Sequence, residues 1–138
     1  MALASPKGFI LYRIWYGNNL VYLGRTKQPL QSRIHGHMFA AAMHRAIDIH
    51  NVTKIEYVML QTEADMNLYE IYFINLWKPS LNVDDKARDN LTISLPELKW
   101  KTFIPVNWEN WKKKISKNEM VGWHKSRNDN AADEIFVE

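Results

Sequence analysis

The sequence predicts an α+β domain: a three-stranded mixed sheet, built from an N-terminal hairpin and one further strand, flanked by helices. Three observations lead there. Residues 9–16, FILYRIWY, are β-branched and aromatic, and a turn and a second short apolar run follow them. From residue 30 onward, apolar side chains recur near a 3.6-residue period. Residues 62–65, TEAD, form a capping-box pattern ahead of a second helical stretch that stops before Pro79.

The first strand lies between Gly8 and Gly17. Gly17, Asn18 and Asn19 tolerate positive φ and make a tight turn. Residues 20–23 form the second strand, which ends at Gly24. With residues 17–19 as a three-residue loop, Tyr16 faces Leu20 and Ile14 faces Tyr22. Directly opposed residues point to one face, so Tyr12 and Tyr22 share a face. A two-residue loop would place them on opposite faces.

Pro29 suits the first turn of a helix that continues to about residue 49, with Gly36 as its weak point. Its apolar stripe is Leu30, Ile34, Met38, Ala41, Ala42 and Ala46. Arg33 and His37 are four apart and adjacent on one side. Residues 55–60, IEYVML, are the third strand. The second helix runs over residues 63–77 and sets Glu70 beside apolar Met66, Phe73 and Trp77. A polar loop covers residues 84–90, and a short strand is expected around residues 92–95. Trp108, Trp111 and Ile115 stand at helical spacing. The organisation expected is a core over residues 1–83 and a Trp/Lys-rich C-terminal extension over residues 84–138, with a disordered acidic end.

Composition narrows the function. With 138 residues, the chain has room for one domain and a short appendage. It contains no cysteine, which excludes disulfide scaffolds, Cys-type zinc sites and thiol nucleophiles. No apolar run reaches the roughly 18 residues of a membrane span. The opening MALASPKGF lacks a basic region and a long apolar stretch, so an intracellular protein is expected. Net charge is +3, and it is unevenly spread. Residues 1–50 hold six Lys and Arg against one acid, and residues 112–127 hold six against one. An acidic middle separates these two basic zones, which favour a phosphate-rich partner. In the second zone, tryptophans and lysines interleave. Either they grip nucleic acid by stacking and charge, or the tryptophans pack on the sheet and the lysines stay in water.

The order strand, strand, helix, strand, helix carries Tyr12, Tyr22, Gly24, Arg33, His37, Glu70 and Asn82 along it. This resembles the GIY-YIG nuclease family. Ile10-Leu11-Tyr12 stands where the family has GIY, with the glycine lost, and Tyr22-Leu23-Gly24 stands where it has YIG. The segment GRTKQPLQSRIHGH resembles the family's loop and helix with its arginine, here Arg33, and a histidine one turn later, here His37. Leu68-Tyr69-Glu70 and the downstream KPSLN resemble the metal-binding glutamate helix and the closing KPxxN. The match covers about residues 8–83. Each residue alone has a plainer reading as strand aromatic, helix surface or turn cap; it is their joint order that carries the resemblance.

The resemblance implies a small GIY-YIG-like fold and a divalent-metal-dependent endonuclease cutting phosphodiester bonds in DNA, with RNA left open. The short architecture is most similar to stand-alone phage or mobile-element enzymes. The alternative is an inactive nucleic-acid-binding module of the same fold. In the family picture Tyr12 is the base or proton relay, Tyr22 positions, and Arg33 and His37 complete the catalytic set. Glu70 holds Mg²⁺ or Mn²⁺, a cation that takes few carboxylates and keeps several waters. Arg25 and Lys27, which follow Gly24, are expected to contact phosphate, as are Asn82 and the lysines Lys112, Lys113 and Lys114. A phenol is a useful base near neutral pH only if nearby positive charge lowers its pKa from about 10.

Overall fold

The computed structural model describes residues 5–39, 47–82 and 91–115. Its sheet has four strands: β1 (Phe9–Tyr16), β2 (Asn19–Thr26), β3 (Lys54–Leu60) and β4 (Lys101–Thr102), in the order β2-β1-β3-β4. The helices are α1 (Leu30–Phe39), α2 (Glu63–Trp77) and α3 (Trp108–Lys114), with a 3₁₀ turn at Ile49–Asn51. The α+β class holds, but the sheet differs from expectation in two ways. It has four strands rather than three, and every ladder is antiparallel rather than mixed. The crossover through α1 does make β3 run parallel to β2. However, β1 lies between them, so no parallel ladder forms. β4 is only two residues long, too short to leave a period in the sequence. Residues 92–95, expected as a strand, have no regular structure.

Alternation along β1 divides the core. Ile10, Tyr12 and Ile14 face α1 and α3, where they meet Leu30, Ile34, Met38, Trp111 and Ile115. Leu11 faces the other way with Leu23, onto Met66, Tyr72, Phe73 and Ile74 of α2. The sheet is thus covered on both faces. The extension packs on the core: Leu91, Leu95, Leu98 and Trp100 lie against the α2 side, and Trp111 is buried on the α1 side. Arg13 fastens this arrangement. Its guanidinium lies 4.2 Å from the Trp100 ring centroid, 5.1 Å from Trp77 and 5.3 Å from Trp15. Its Nε donates to Glu56 Oε1 at 2.8 Å. One side chain of β1 therefore ties together β3, the end of α2 and the extension.

The hairpin reaches its register by an unexpected route. The turn is two residues, Gly17 and Asn18, with Tyr16 opposite Asn19 rather than Leu20. A regular ladder from there would put Tyr22 on the α2 face. Instead the register shifts between Ile14 and Trp15: Trp15 pairs with Leu20 and Ile14 with Tyr22, leaving Val21 as a bulge. The shift restores the shared face of Tyr12 and Tyr22. The Leu81 amide donates to the carbonyl of Val21 at 2.8 Å.

The helices follow their end signals. Thr62 caps α2, its hydroxyl accepting from the Asp65 amide at 3.0 Å. Lys78 adopts a left-handed φ of 47° just past the last turn, and Pro79 follows. In α1 the Pro29 carbonyl accepts from the Arg33 amide at 3.1 Å. The continuation expected beyond residue 39, together with the loop at 84–90 and the acidic end, lies largely outside the described residues. Among the described residues, no helix is long and apolar enough to cross a membrane.

Candidate active site

The site begins with a close approach of strands. Tyr12, in the middle of β1, is opposite Gly24 on β2 and Tyr57 on β3. A Cβ at position 24 would stand 2.7 Å from Cζ and Oη of Tyr12 and 2.7 Å from Cε2 of Tyr22. Only glycine leaves room for the two rings, whose centroids are 6.0 Å apart. α1 then supplies Arg33 and His37, one turn apart. Arg33 Nε donates to the Tyr12 hydroxyl at 3.0 Å, and His37 Nε2 lies 2.6 Å from the same oxygen. The His37 ring stands edge-on to Tyr22 at 4.9 Å. Tyr12 and His37 are buried, and Arg33 is half-buried. Four of the residues expected at the site thus meet around one phenolic oxygen. Arg33 fills one of its acceptor positions, and a proton bridges the short gap to the imidazole.

The electrostatics of this oxygen differ from what a phenolic base requires. Burial pushes the Tyr12 phenol well above its ordinary value, and the neighbouring Tyr22 adds to the rise; Arg33 pulls it back only in part. Tyr12 is therefore protonated at neutral pH. For Arg33, burial acts to lower the pKa, but its contacts with Tyr12 and Tyr22 outweigh burial and raise it, so the guanidinium stays charged.

Glu70 is on α2, which covers the opposite face of the sheet. It is buried, and Arg25 Nε lies 3.2 Å from its Oε1. Arg25 also donates to Asn67 Oδ1 one turn earlier on α2. Below this rung, Lys27 Nζ pairs with Glu63 Oε2 at 3.2 Å. The link between Glu70 and the tyrosines is β2 itself: Gly24 lies against their rings, and the next residue reaches Glu70.

Of the residues expected to contact nucleic acid, Asn82 needs correction. Asn82 is not at a surface. It is fully buried, its Oδ1 accepts from the Leu23 amide at 2.9 Å, and its Nδ2 donates to the Leu23 carbonyl at 2.9 Å. It clamps the outer edge of β2, taking the place of a further strand. Arg25 and Lys27 pair with side chains of α2 while both remain exposed to solvent. In the extension, Trp111 is buried against His35 and Phe39 of α1, with ring centroids 5.2 and 5.8 Å away. Of the lysines on α3, Lys113 and Lys114 are exposed and Lys112 is half-buried. Among the described residues of the extension, Trp100, Trp108 and Trp111 pack on the core, and Lys113 and Lys114 face water. The sequence reading missed the pairing of Arg25 with Asn67 and Glu70. Its only trace is spacing: Glu63, Asn67 and Glu70 share a helix face, and Arg25 and Lys27 share a strand face.

Among the described residues, no three His, Asp or Glu side chains gather as a metal cage. The donor chemistry of Glu70 suits a different kind of site: a hard cation held by one carboxylate, with water and substrate oxygens completing its shell. No family model, no curated protein and no solved structure matches this chain.

Proposed function

We propose that the protein is a divalent-metal-dependent endonuclease of the GIY-YIG type, acting on DNA. The observation that supports this reading best is the convergence of Tyr12, Tyr22, Arg33 and His37, with Arg33 and His37 both on the hydroxyl of Tyr12. Two strands and a helix supply these groups, and ordinary core packing needs neither a buried imidazole nor a guanidinium there. Arg33, the most open of the four, is suited to hold a non-bridging phosphate oxygen through its planar donors. Glu70 would hold Mg²⁺ or Mn²⁺, which stabilises charge on the phosphoryl oxygens and on the leaving alkoxide.

Tyr12 enters the reaction as a neutral phenol. It accepts a proton from the attacking water only after passing its own to His37 Nε2, 2.6 Å away. Arg33, 3.0 Å from the oxygen, stabilises the phenolate formed between the two transfers. Tyr22 keeps the imidazole edge in place.

A second reading, an inactive nucleic-acid-binding module of the same fold, draws on the full burial of Tyr12 and its raised pKa. A nicking assay separates the two, using supercoiled plasmid, branched and single-stranded DNA with Mg²⁺ or Mn²⁺. We expect the native protein to nick. We expect Glu70→Gln to abolish cleavage while DNA affinity is retained or improved, since one negative charge facing phosphate is removed. Undiminished nicking by Glu70→Gln would end the metal-site reading. Absence of cleavage on all three substrates, with a salt-dependent gel shift, would favour the binding module.

A further inference from the structure

We propose that Arg25 is a positioning residue that occupies Glu70 in the absence of metal, so that a guanidinium and a divalent cation alternate on one carboxylate. This rests on the metal-dependent reading above. The two partners are unequal. The Glu70 side chain is 10% exposed and that of Arg25 is 41% exposed, with Nε to Oε1 at 3.2 Å. Glu70 stands on α2 with Met66 and Phe73 buried a turn to either side, so an ionised carboxylate there needs a positive partner. Arg25 lies on the edge strand with its outer part in water, so it can leave at small cost while Glu70 stays. Asn67, whose Oδ1 accepts from Arg25, is a second hold that keeps the guanidinium docked.

Position makes the exchange useful. Arg25 directly follows Gly24, which lies against both tyrosines. Arg25 leaves β2 on the α2 face, opposite the tyrosine rings, but β2 is the edge strand, so a phosphate reaching round that edge would offer the released guanidinium a new partner. With Arg25 docked, the carboxylate is already neutralised, and an approaching cation meets a like charge. Metal alone then binds weakly. Phosphate that draws Arg25 away exposes the carboxylate, and nucleic acid and metal bind cooperatively.

The test measures Mn²⁺ affinity calorimetrically on the full chain without DNA. Native protein is compared with Arg25→Gln, Asn67→Ala and Glu70→Gln, with the fold of each checked by circular dichroism. Arg25→Gln should bind Mn²⁺ about tenfold more tightly than native protein, because a competing charge-assisted contact is gone. Asn67→Ala leaves both charges in place and loosens only the second hold, so it should gain about two- to fourfold. It carries the test if Arg25→Gln does not fold. Glu70→Gln should lose the binding. Affinity unchanged or weakened in Arg25→Gln and Asn67→Ala, with Glu70→Gln still impaired, would overturn the role of Arg25 and leave the metal site standing. Affinity unchanged in Glu70→Gln would overturn both.

Discussion

Gly24→Ala probes the candidate site without touching an ionisable group. The added Cβ would stand 2.7 Å from two atoms of Tyr12 and from one of Tyr22. Carbon atoms settle near 3.5 Å or beyond, so something must move by about 0.8 Å. None of the three atoms ends a flexible chain. Two belong to aromatic rings, and the third is the hydroxyl held by Arg33 at 3.0 Å and adjoining His37 at 2.6 Å. Overpacking of this kind costs about 1–3 kcal/mol. The upper half of that range is expected here, because Tyr12 is fully buried and both rings are struck at once. Urea unfolding should show a loss of about 2–3 kcal/mol. The nicking rate, measured well below the thermal midpoint, should fall by about 10²-fold, since a displacement near 1 Å disrupts the approach of reacting groups. Native stability in the variant would refute the packing argument. A variant that loses the stability yet nicks at the native rate would show that the tyrosine cluster is core and not site.

Other outcomes follow from the same geometry. Arg33→Lys keeps the charge and loses the planar fork, so nicking should drop by about 10²–10³-fold while DNA affinity changes little; equal rates would remove Arg33 from the phosphate. Asn82→Ala strips both side-chain hydrogen bonds from the Leu23 backbone and should cost about 2–4 kcal/mol in urea unfolding. DNA affinity of the folded variant should be native, and a large loss would return Asn82 to the interface. The Tyr16 phenol, pushed up to about 12 by burial, stays protonated in the folded chain while its unfolded counterpart ionises near 10. Its contribution to stability is therefore present below pH 10 and is lost as pH rises from 10 to about 12, at most ~1.4 kcal/mol per unit. Tyr12, also raised, steepens the same limb. Stability followed by urea unfolding from pH 9 to 12 should fall, less steeply in Tyr16→Phe; a flat profile would contradict the burial of both phenols.

What could be read ahead of the structure was what local chemistry determines. The limits of α2 came from Thr62 and Pro79, and the α1 pair came from the spacing of Arg33 and His37. Tyr12 and Tyr22 were placed on one face correctly, though through a turn one residue too long. What could not be read depends on which segments become neighbours. Nothing local tells that Asn82 would bind the β2 edge rather than solvent, because its partner Leu23 is 59 residues away. Alternation puts Arg25 on the face away from Tyr22, but nothing local says that α2 covers that face, or that β4, with two residues, would extend the sheet. The tryptophans of the extension were ambiguous for a related reason: an indole beside a lysine serves equally well for stacking on a base or on a protein core. Arg13 among Trp15, Trp77 and Trp100 and Trp111 on α1 resolve that ambiguity toward packing.

The surplus residue of the hairpin behaves like a dislocation in a crystal lattice. Chain length between Tyr12 and Tyr22 requires one residue more than a regular two-residue hairpin accommodates. That extra residue can sit at the tip, as a third turn residue, or within the ladder, at Val21. Both placements pair Ile14 with Tyr22 and present the two phenols to the same side. The two placements leave everything from Tyr22 onward in the same register. The hydrogen bond from the Leu81 amide to the Val21 carbonyl pins the extra residue in the ladder. The tip of the hairpin can therefore change conformation or sequence with its disturbance contained within a few residues, mechanically insulated from the tyrosine pair.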